Sequence, residues 1–237
     1  QETSSFVGNS YYMPNIKESF LHLKGLNILR QLDPKNIKVL IWNIKKGEHP
    51  NWSKDFQKLS MDTDLFLIQE AYLDDNMTKA LRNLSHVDWH MGVSFRYGDE
   101  NGVPTGTAIG SISRVKDFSS LKSLGREPFI NTPKTITTAK HSLKGMKDEL
   151  LTINVHGINF TSVDEFDAQM TQADIVMDSH NGPILFAGDF NTWNDERLKM
   201  LRKLADKYGL SEIEFQKDSR SSFFGNIVDH GFVRGLN

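Results

Sequence analysis

The sequence contains no cysteine among its 237 residues. This absence excludes disulfide cross-links, thiol catalysis and thiolate metal sites, so a bound metal would need oxygen or imidazole ligands. No apolar run approaches the roughly 18 residues that span a bilayer. With a mean hydropathy of -0.44, we expect a soluble chain without a membrane span. The compartment stays open between the cytoplasm and export.

A large excess of one charge is also lacking. The chain has 28 basic and 30 acidic residues, for a net charge of -2, so we expect no broad cationic surface of the kind that holds nonspecific nucleic-acid binders. Any contact with nucleic acid would have to be local, and no protein partner is implied. No strand-like run is followed by a G-x-G-x-x-G turn, which disfavours a Rossmann-type nucleotide binder.

Residues 1–36 are predicted to form an N-terminal arm with one possible helix. The first fifteen residues mix Ser, Asn, Gly, Tyr and Pro without periodicity. Between Phe20 and Leu32, the apolar positions Phe20, Leu23 and Leu26 or Asn27 fit a helical stripe roughly. The first residue is Gln1 rather than Met, so we expect that something was removed upstream.

Residues 37–237 are predicted to form one α/β domain with a mixed sheet. Two amphipathic helices are predicted around 166–177 and 198–208, and the strand-like residues 87–140 favour antiparallel hairpins. Short apolar runs rich in Ile, Val, Leu and Phe predict strands covered on both faces. These runs are IKVLIW, DLFLIQE, LLTINVH and PILFAGD.

Each apolar run ends in a side chain that can handle metals or protons. These side chains are Asn43, Glu70, His156, and Asp189 followed by Asn191. In α/β sheets, the strand ends bring such residues into one crevice. Taken singly, each could instead have a structural role, such as closing a turn or pairing with a lysine. Taken together, they predict a site.

The residue types in this group suit a hard cation and a phosphate ester. Glu70 could bind Mg²⁺ or Mn²⁺ directly, and Asn43 could complete that shell or donate to a phosphate oxygen. Asp189 would orient or deprotonate the attacking water, and Asn191 would hold the water or the phosphoryl group. His156 would protonate or electrostatically support the leaving oxygen.

Three cationic residues are weaker candidates for substrate binding. Lys45 and Lys46 follow the first strand and could meet substrate phosphates, although adjacent lysines are more often solvated. Arg220 is a better phosphate candidate because its guanidinium forms a bidentate fork, and a structural role for it stays equally open. Several other histidines are interpreted as surface or loop residues, without an argument for zinc. They are His49, His86, His90, His141 and His180.

Four short segments together resemble the endonuclease/exonuclease/phosphatase superfamily, the deoxyribonuclease I-like proteins. They are WNI at 42–44, QE at 69–70, NVHGINF at 154–160 and GDFNTW at 188–193. The chain is most similar to a bacterial branch of uncertain substrate that shares HxINF, GPxxxAGDFNxW and D-x-x-F-x-RGL. The resemblance covers about residues 37–236. It implies a four-layer α/β sandwich with two packed mixed β-sheets, a single hydrolytic site and Mg²⁺ dependence.

The end of the chain departs from the family pattern. The family normally closes with a Ser-Asp-His triplet before a final strand, and this chain ends at Asn237. Asp229-His230 is either that closing pair or the aspartate of the penultimate strand, and its context VDHGFVRGL favours the second. Asp229 is then a catalytic candidate, and we expect the domain to lack its last strand.

Two functions therefore stay open. The chain is either a metal-dependent hydrolase of phosphoester bonds, whose substrate is a phosphate ester and could be a nucleic acid, or a catalytically incomplete binding module of the same fold. The fold alone does not choose the substrate.

Overall fold

The computed structural model describes residues 3–6, 9–26, 28–214, 218, 220–223 and 225–236. Gln1, Asn27 and Asn237 lie outside the described residues. No helix among the described residues is long and apolar enough to cross a membrane.

The described residues form four α-helices and fifteen strands. The helices are α1 (Trp52–Ser60), α2 (Asp75–Asn83), α3 (Val163–Asp178) and α4 (Asp195–Lys207). The strands are β1 (Thr3–Phe6), β2 (Asn9–Tyr12), β3 (Phe20–Leu23), β4 (Val39–Asn43), β5 (Leu65–Tyr72), β6 (Asp88–Tyr97), β7 (Pro104–Ser111), β8 (Val115–Lys122), β9 (Thr135–Ser142), β10 (Glu149–His156), β11 (Ile184–Asp189), β12 (Ser211–Glu212), β13 (Ser222–Phe223), β14 (Asn226–Ile227) and β15 (Asp229–Arg234).

The strands form two mixed sheets and one small hairpin. The first sheet has the order β1-β2-β6-β7-β5-β4, and β3 also pairs with β6. The second sheet has the order β12-β15-β11-β10-β9-β8, and β13 pairs with β14 apart from both sheets. The pairs β4/β5 and β10/β11 are parallel. The hairpins β6/β7 and β8/β9 are antiparallel, as the middle of the sequence predicts.

Three buried clusters arrange these elements in four layers. Alternate residues of β5 face opposite sides, as in any strand: Phe66 belongs to the cluster with α1 and α2, whereas Leu65 and Leu67 belong to the cluster between the two sheets. Phe166 of α3 and Leu201 of α4 pack on the outer side of the second sheet. The α/β/β/α sandwich with two packed mixed sheets is confirmed, and both sheets share a single inner core.

The local sequence explains where α3 and α4 begin. The Ser162 side chain accepts from the Glu165 backbone, and the Glu165 side chain accepts from the Ser162 backbone, which makes a capping box. Asn194 caps α4 by accepting from the backbone N–H of Arg197. Both helices lie where the apolar periodicity predicts them. Helices α1 and α2, nine residues each, were not predicted individually from the sequence.

The helix predicted between Phe20 and Leu32 is wrong. Phe20–Leu23 forms strand β3, which pairs antiparallel with β6. Leu21 and Leu23 pack against the core on the α1/α2 side of the sheet, so the apolar spacing has period two. Over four residues, a strand and a short helical stripe give nearly the same pattern. Strand β2 also pairs with β6, so residues before position 37 contribute to the first sheet.

Candidate active site

The ends of four strands from both sheets meet at one crevice. Asn43 ends β4, Glu70 lies near the end of β5, and His156 and Asp189 end β10 and β11. The Nδ2 atom of Asn43 donates to Oε1 of Glu70 at 3.2 Å and to Oδ2 of Asp189 at 2.8 Å. One amide therefore joins a carboxylate of the first sheet to a carboxylate of the second.

Glu70 is placed by an irregularity in its strand. The pairing of β5 with β7 shifts register between Ile68 and Ala71, and Glu70 has a positive φ of 52°. Such a conformation is costly for a residue with a side chain and is often found at functional sites. The bulge turns the Glu70 carboxylate toward Lys46, whose Nζ lies 3.1 Å from Oε2.

The charge of Glu70 is held by the cations around it. Burial alone would raise the pKa of Glu70, but charge interactions with His156, which is protonated only at low pH, and with Lys134 and Lys46 outweigh burial and lower this pKa to about 2. Burial also lowers the pKa of His156 to about 3, so His156 is neutral at pH 7. Lys46 and Lys134 therefore keep the Glu70 carboxylate ionised near neutral pH.

His156 is a buried, neutral imidazole beside that carboxylate. Its side chain is 6% exposed, and its Nε2 lies 3.6 Å from Oε1 of Glu70. The backbone carbonyl of His156 accepts from Nε2 of Gln169 in α3 at 2.9 Å. The outer helix layer thus fixes the backbone at the point where β10 ends.

Asp189 and Asn191 are held by hydrogen bonds within the turn after β11. The backbone N–H of Asn191 donates to Oδ1 of Asp189 at 3.0 Å, and Nδ2 of Asn191 donates to the carbonyl of Gly157 at 2.8 Å. Asn191 has a φ of 52°, a conformation that Asn tolerates better than most residues. Burial and the nearby charge of Asp229 raise the pKa of Asp189 to about 6.

The side chains of Asp229 and His230 point to opposite faces of β15. Asp229 pairs with Asp189 across β15 and β11, and burial raises the pKa of Asp229. The ring of His230 instead contacts Oγ1 of Thr192 at 2.9 Å and Oε1 of Glu212 at 2.9 Å. Because neighbouring strand residues point to opposite faces, only Asp229 of this pair faces Asp189. This placement fits the interpretation of Asp229 as a strand aspartate with an unrelated histidine after it.

Arg220 lines the crevice and is surrounded by acidic side chains. Its Nη2 donates to Oδ2 of Asp218 at 2.6 Å, and its Nη1 lies 3.3 Å from Oε1 of Glu212. Nη1 also donates to the backbone carbonyl of Asp229 at 3.2 Å. Arg220 therefore fixes the start of β15 in addition to lying near the site.

The crevice has a volume of about 1000 Å³ and includes residues that the sequence arguments missed. Lys134 forms an ion pair of 3.1 Å with Glu127, and both side chains are largely buried. Phe160 and Phe223 contact each other edge to face at 6.1 Å, with 55% and 40% of their surfaces exposed. Phe160 belongs to the segment NVHGINF, but no role was assigned to it, and Lys134 lies in a loop without a local pattern that indicates a site.

A buried amide pair lies beneath the crevice and joins the sheets. Nε2 of Gln69 donates to Oδ1 of Asn154 at 2.6 Å. Nδ2 of Asn154 donates to the carbonyls of Ile68 and Ala108 at 3.1 and 3.0 Å. Both amide side chains are fully buried. This network fixes β10 of the second sheet against β5 and β7 of the first, directly below Glu70 and His156.

The donor atoms of the crevice fit a hard divalent cation. The residues with such donors that line it are Glu70, Asp189 and Asp229, which carry carboxylates, and Asn43 and Asn191, which carry amides. Oxygen ligands of this kind suit Mg²⁺ and Mn²⁺. The repulsion between Asp229 and Asp189 that raises the pKa of Asp189 would be relieved by a cation.

Comparison with known proteins identifies the fold and the relatives. The model of the Endonuclease/Exonuclease/phosphatase family matches residues 27–235. A UPF0294 protein of Vibrio campbellii is 35% identical over 202 residues, which cover 84% of this chain and 69% of the relative. A UPF0294 protein of Photorhabdus laumondii is 29% identical over 202 residues, covering 85% of this chain and 75% of the relative.

Solved structures share the fold at low sequence identity. An endonuclease/exonuclease/phosphatase family protein from Leptotrichia buccalis has a TM-score of 0.62 at 14% identity, covering 85% of this chain and 88% of its own. The human Nocturnin catalytic domain with bound sulfate has a TM-score of 0.58 at 13% identity, covering 86% and 83%. Truncated TDP2 of Caenorhabditis elegans has a TM-score of 0.56 at 16% identity, covering 84% of each chain. At such identities the likeness concerns the fold.

Proposed function

The chain belongs to the endonuclease/exonuclease/phosphatase family, and from this premise we propose that it hydrolyses a phosphoester bond in the crevice with a bound divalent cation. The substrate is a phosphodiester or a phosphomonoester, and a nucleic acid is one candidate. The near-balanced charge of the chain, -2 in total, argues against tight nonspecific binding of a long polyanion.

The observation that carries this proposal is the bridge made by Asn43. Its side chain contacts Glu70 and Asp189 at once, so groups from both sheets share one small volume. If these polar residues only ended their strands, water could satisfy their hydrogen bonds. A purely structural role would therefore not require the ends of four strands to converge at a crevice.

Glu70 and Asn43 are the proposed cation ligands. The carboxylate of Glu70 remains ionised because of Lys46 and Lys134, so it is ready to bind a cation near neutral pH. Mg²⁺ or Mn²⁺, when bound, supplies Lewis acidity that stabilises charge on the phosphoryl oxygens. Mg²⁺ characteristically uses few carboxylates and completes its shell with water and phosphate oxygens, which agrees with this small ligand set.

Asp189 and Asn191 are proposed to handle the attacking water. The Oδ1 atom of Asp189 is fixed by the Asn191 backbone, and Oδ2 accepts from Asn43, so the carboxylate has a defined orientation. Asp189 orients or deprotonates the water, and Asn191 holds the water or the phosphoryl group. Asp229, opposite Asp189, raises the pKa of Asp189 and so makes this carboxylate a stronger base.

His156 and the nearby cations are proposed to stabilise the ester. The neutral imidazole of His156 can donate a hydrogen bond to the leaving oxygen. Lys46 and Lys134 line the same crevice and are placed to neutralise phosphate oxygens. Arg220 is proposed as a further phosphate contact at the rim, next to the backbone of Asp229.

The test is hydrolysis of bis(p-nitrophenyl) phosphate and p-nitrophenyl phosphate with Mg²⁺, with Mn²⁺ and with a chelator. We expect cation-dependent release of nitrophenolate by this chain. Asp189→Asn and His156→Ala should each lower the rate at least about 100-fold, as for loss of an oxyanion donor. Asp167→Asn, an exposed aspartate of α3, is the matched control and should keep full activity.

Each outcome separates the two functions that the sequence leaves open. Activity that survives Asp189→Asn would overturn the site assignment. Cation and phosphate binding by all forms without turnover would favour the binding module, and absence of both binding and turnover would overturn both functions.

A further inference from the structure

Three potential metal ligands lie together at the start of strand β6, away from the crevice. His22 of β3 is the direct cross-strand partner of His90 in β6. Asp88 precedes His90 by two residues and therefore lies on the same face of the strand. Gly92, the next residue on that face, approaches Ser120 and Thr137, so the face is the one turned toward the second sheet.

The side chains converge on one point. Nε2 of His22 lies 2.9 Å from Oδ1 of Asp88, and Nε2 of His90 lies 3.0 Å from Oδ2. The two imidazole rings stack with centroids 4.2 Å apart. In the part of the chain that the structure describes, this is the one group of three His, Asp or Glu side chains with ligand atoms all within 4.8 Å of one another.

A tight backbone contact orients the carboxylate. The backbone N–H of Gly25 donates to Oδ1 of Asp88 at 3.0 Å. A Cβ atom at Gly25 would lie 2.6 Å from the carbonyl oxygen of Val87, so only glycine permits this approach. Hydrogen bonds that orient a ligating carboxylate are a regular feature of metal sites.

The chemistry of this group differs from that of the crevice. Two imidazole nitrogens and one carboxylate oxygen form a common ligand set for Zn²⁺, with the fourth position left to water or substrate. The same donors bind Co²⁺, Ni²⁺ and Cu²⁺, whereas Mg²⁺ prefers oxygen ligands. The side chain of His22 is 46% exposed, so a cation can reach the group from solvent.

We propose that His22, Asp88 and His90 form a second metal site, selective for Zn²⁺ and related transition-metal ions, which cross-links β3 to β6. Strand β3 has four residues and pairs only with β6 among the described elements. A metal held by both strands would stabilise this attachment, because a ligand that binds only the folded state stabilises it.

The competing interpretation is a hydrogen-bonded His-Asp-His group without a metal role. A carboxylate between two imidazoles satisfies its own hydrogen bonds, so the contacts alone do not require a cation. The two interpretations differ in zinc affinity and in the effect of zinc on stability, and both quantities can be measured independently of phosphoester hydrolysis.

The experiment uses tag-free protein that carries Glu70→Gln, so that the proposed crevice ligand does not contribute. Zinc chloride is titrated against a chromophoric chelator in excess Mg²⁺. We expect one equivalent of bound Zn²⁺. His22→Asn and His90→Asn should each weaken binding by at least the roughly 10–100-fold typical of losing an outer-shell partner. His86→Asn, an exposed histidine of the same region, should leave the affinity unchanged.

A second readout covers variants that fold poorly. Zn²⁺ should raise the thermal unfolding midpoint of the wild-type chain and of His86→Asn, but not that of His22→Asn, with the fold of each checked by circular dichroism. The proposal is overturned if the Glu70→Gln protein binds no zinc. It is also overturned if both folded ligand variants keep the affinity and the zinc-dependent rise of the midpoint.

Discussion

Strand β6 connects two polar regions that differ in chemistry. At its end, Tyr97 lines the crevice, where the proposed ligand atoms are oxygens and the nearby positive charges are those of lysines and Arg220. At its start, Asp88 and His90 meet His22 at the sheet edge, where two of the three ligand atoms are imidazole nitrogens. His90 lies four residues before Ser94, the first residue of β6 that lines the crevice, and four residues span about 13 Å at ~3.3 Å per residue, so the two regions do not touch.

The two regions also differ in how they are built. The crevice needs both sheets, because Asn43 joins residues of β5 and β11 and Asn154 joins β10 to β5 and β7 below it. The edge group needs only two neighbouring strands of one sheet. A site that spans two sheets is sensitive to how the whole sandwich packs, whereas a site on paired strands depends on local register.

The largest expected effect is a loss of hydrolysis that leaves zinc binding at the edge group unchanged. Asn43→Ala removes the amide that joins Glu70 to Asp189, and we expect hydrolysis to fall about 100- to 1000-fold, as for loss of an oxyanion donor. Zinc affinity at the His22 group should not change. Asn76→Ala, on the exposed face of α2, is the control and should keep its rate. A parallel loss of zinc binding in Asn43→Ala would show that the regions are coupled.

The next effect concerns stability. Asn154→Ala leaves the carbonyls of Ile68 and Ala108 and the amide of Gln69 without their buried partner. We expect the free energy of unfolding to fall by about 3 kcal/mol, because each unsatisfied buried polar group costs roughly 1–3 kcal/mol. Urea unfolding measures this loss.

The same urea measurement on the edge group gives the contrast. His22→Asn in metal-free buffer should cost less than about 1 kcal/mol, because the side chain of His22 is itself 46% exposed. Asn83→Ala, an exposed residue near the end of α2, should stay within about 0.5 kcal/mol of the wild type. A loss of stability in His22→Asn as large as that in Asn154→Ala would contradict this difference between the edge group and the crevice.

A third prediction compares the edge histidines with a histidine inside the sandwich. His141 is fully buried, and burial lowers its pKa to about 3. Between this value and the unfolded pKa of about 6.5, the unfolded state binds one more proton, so stability falls as pH falls. Near pH 5, His141→Gln should lower the slope of the free energy of unfolding against pH by about 1.4 kcal/mol per pH unit.

The measurement is a series of urea unfolding curves between pH 4.5 and 6.5 in metal-free buffer. His86→Gln should run parallel to the wild type, because His86 is exposed. Equal slopes for His141→Gln and the wild type would contradict a neutral, buried His141.

The crevice was predictable from sequence to a greater extent than the edge group. Asn43, Glu70, His156 and Asp189 each end an apolar run, and that pattern alone indicated their convergence. His22 and His90 are cross-strand partners separated by 68 positions, and no local pattern reports such a pair. His90 and His141 were interpreted as surface or loop residues, which is wrong: both lie in strands, and His141 is fully buried.

The smallest expected effect is on hydrolysis and comes from two neighbouring lysines, Lys45 and Lys46, which the sequence does not distinguish. Both have positive φ values, 47° for Lys45 and 56° for Lys46. Lys46 is turned into the crevice, with its Nζ 3.1 Å from Glu70, whereas Lys45 is exposed. If the crevice holds a phosphate, Lys46→Ala should lower kcat/KM about tenfold, the equivalent of about 1.4 kcal/mol. Lys45→Ala should change kcat/KM by less than about twofold. Equal effects of the two substitutions would contradict a phosphate position next to Lys46 and Glu70.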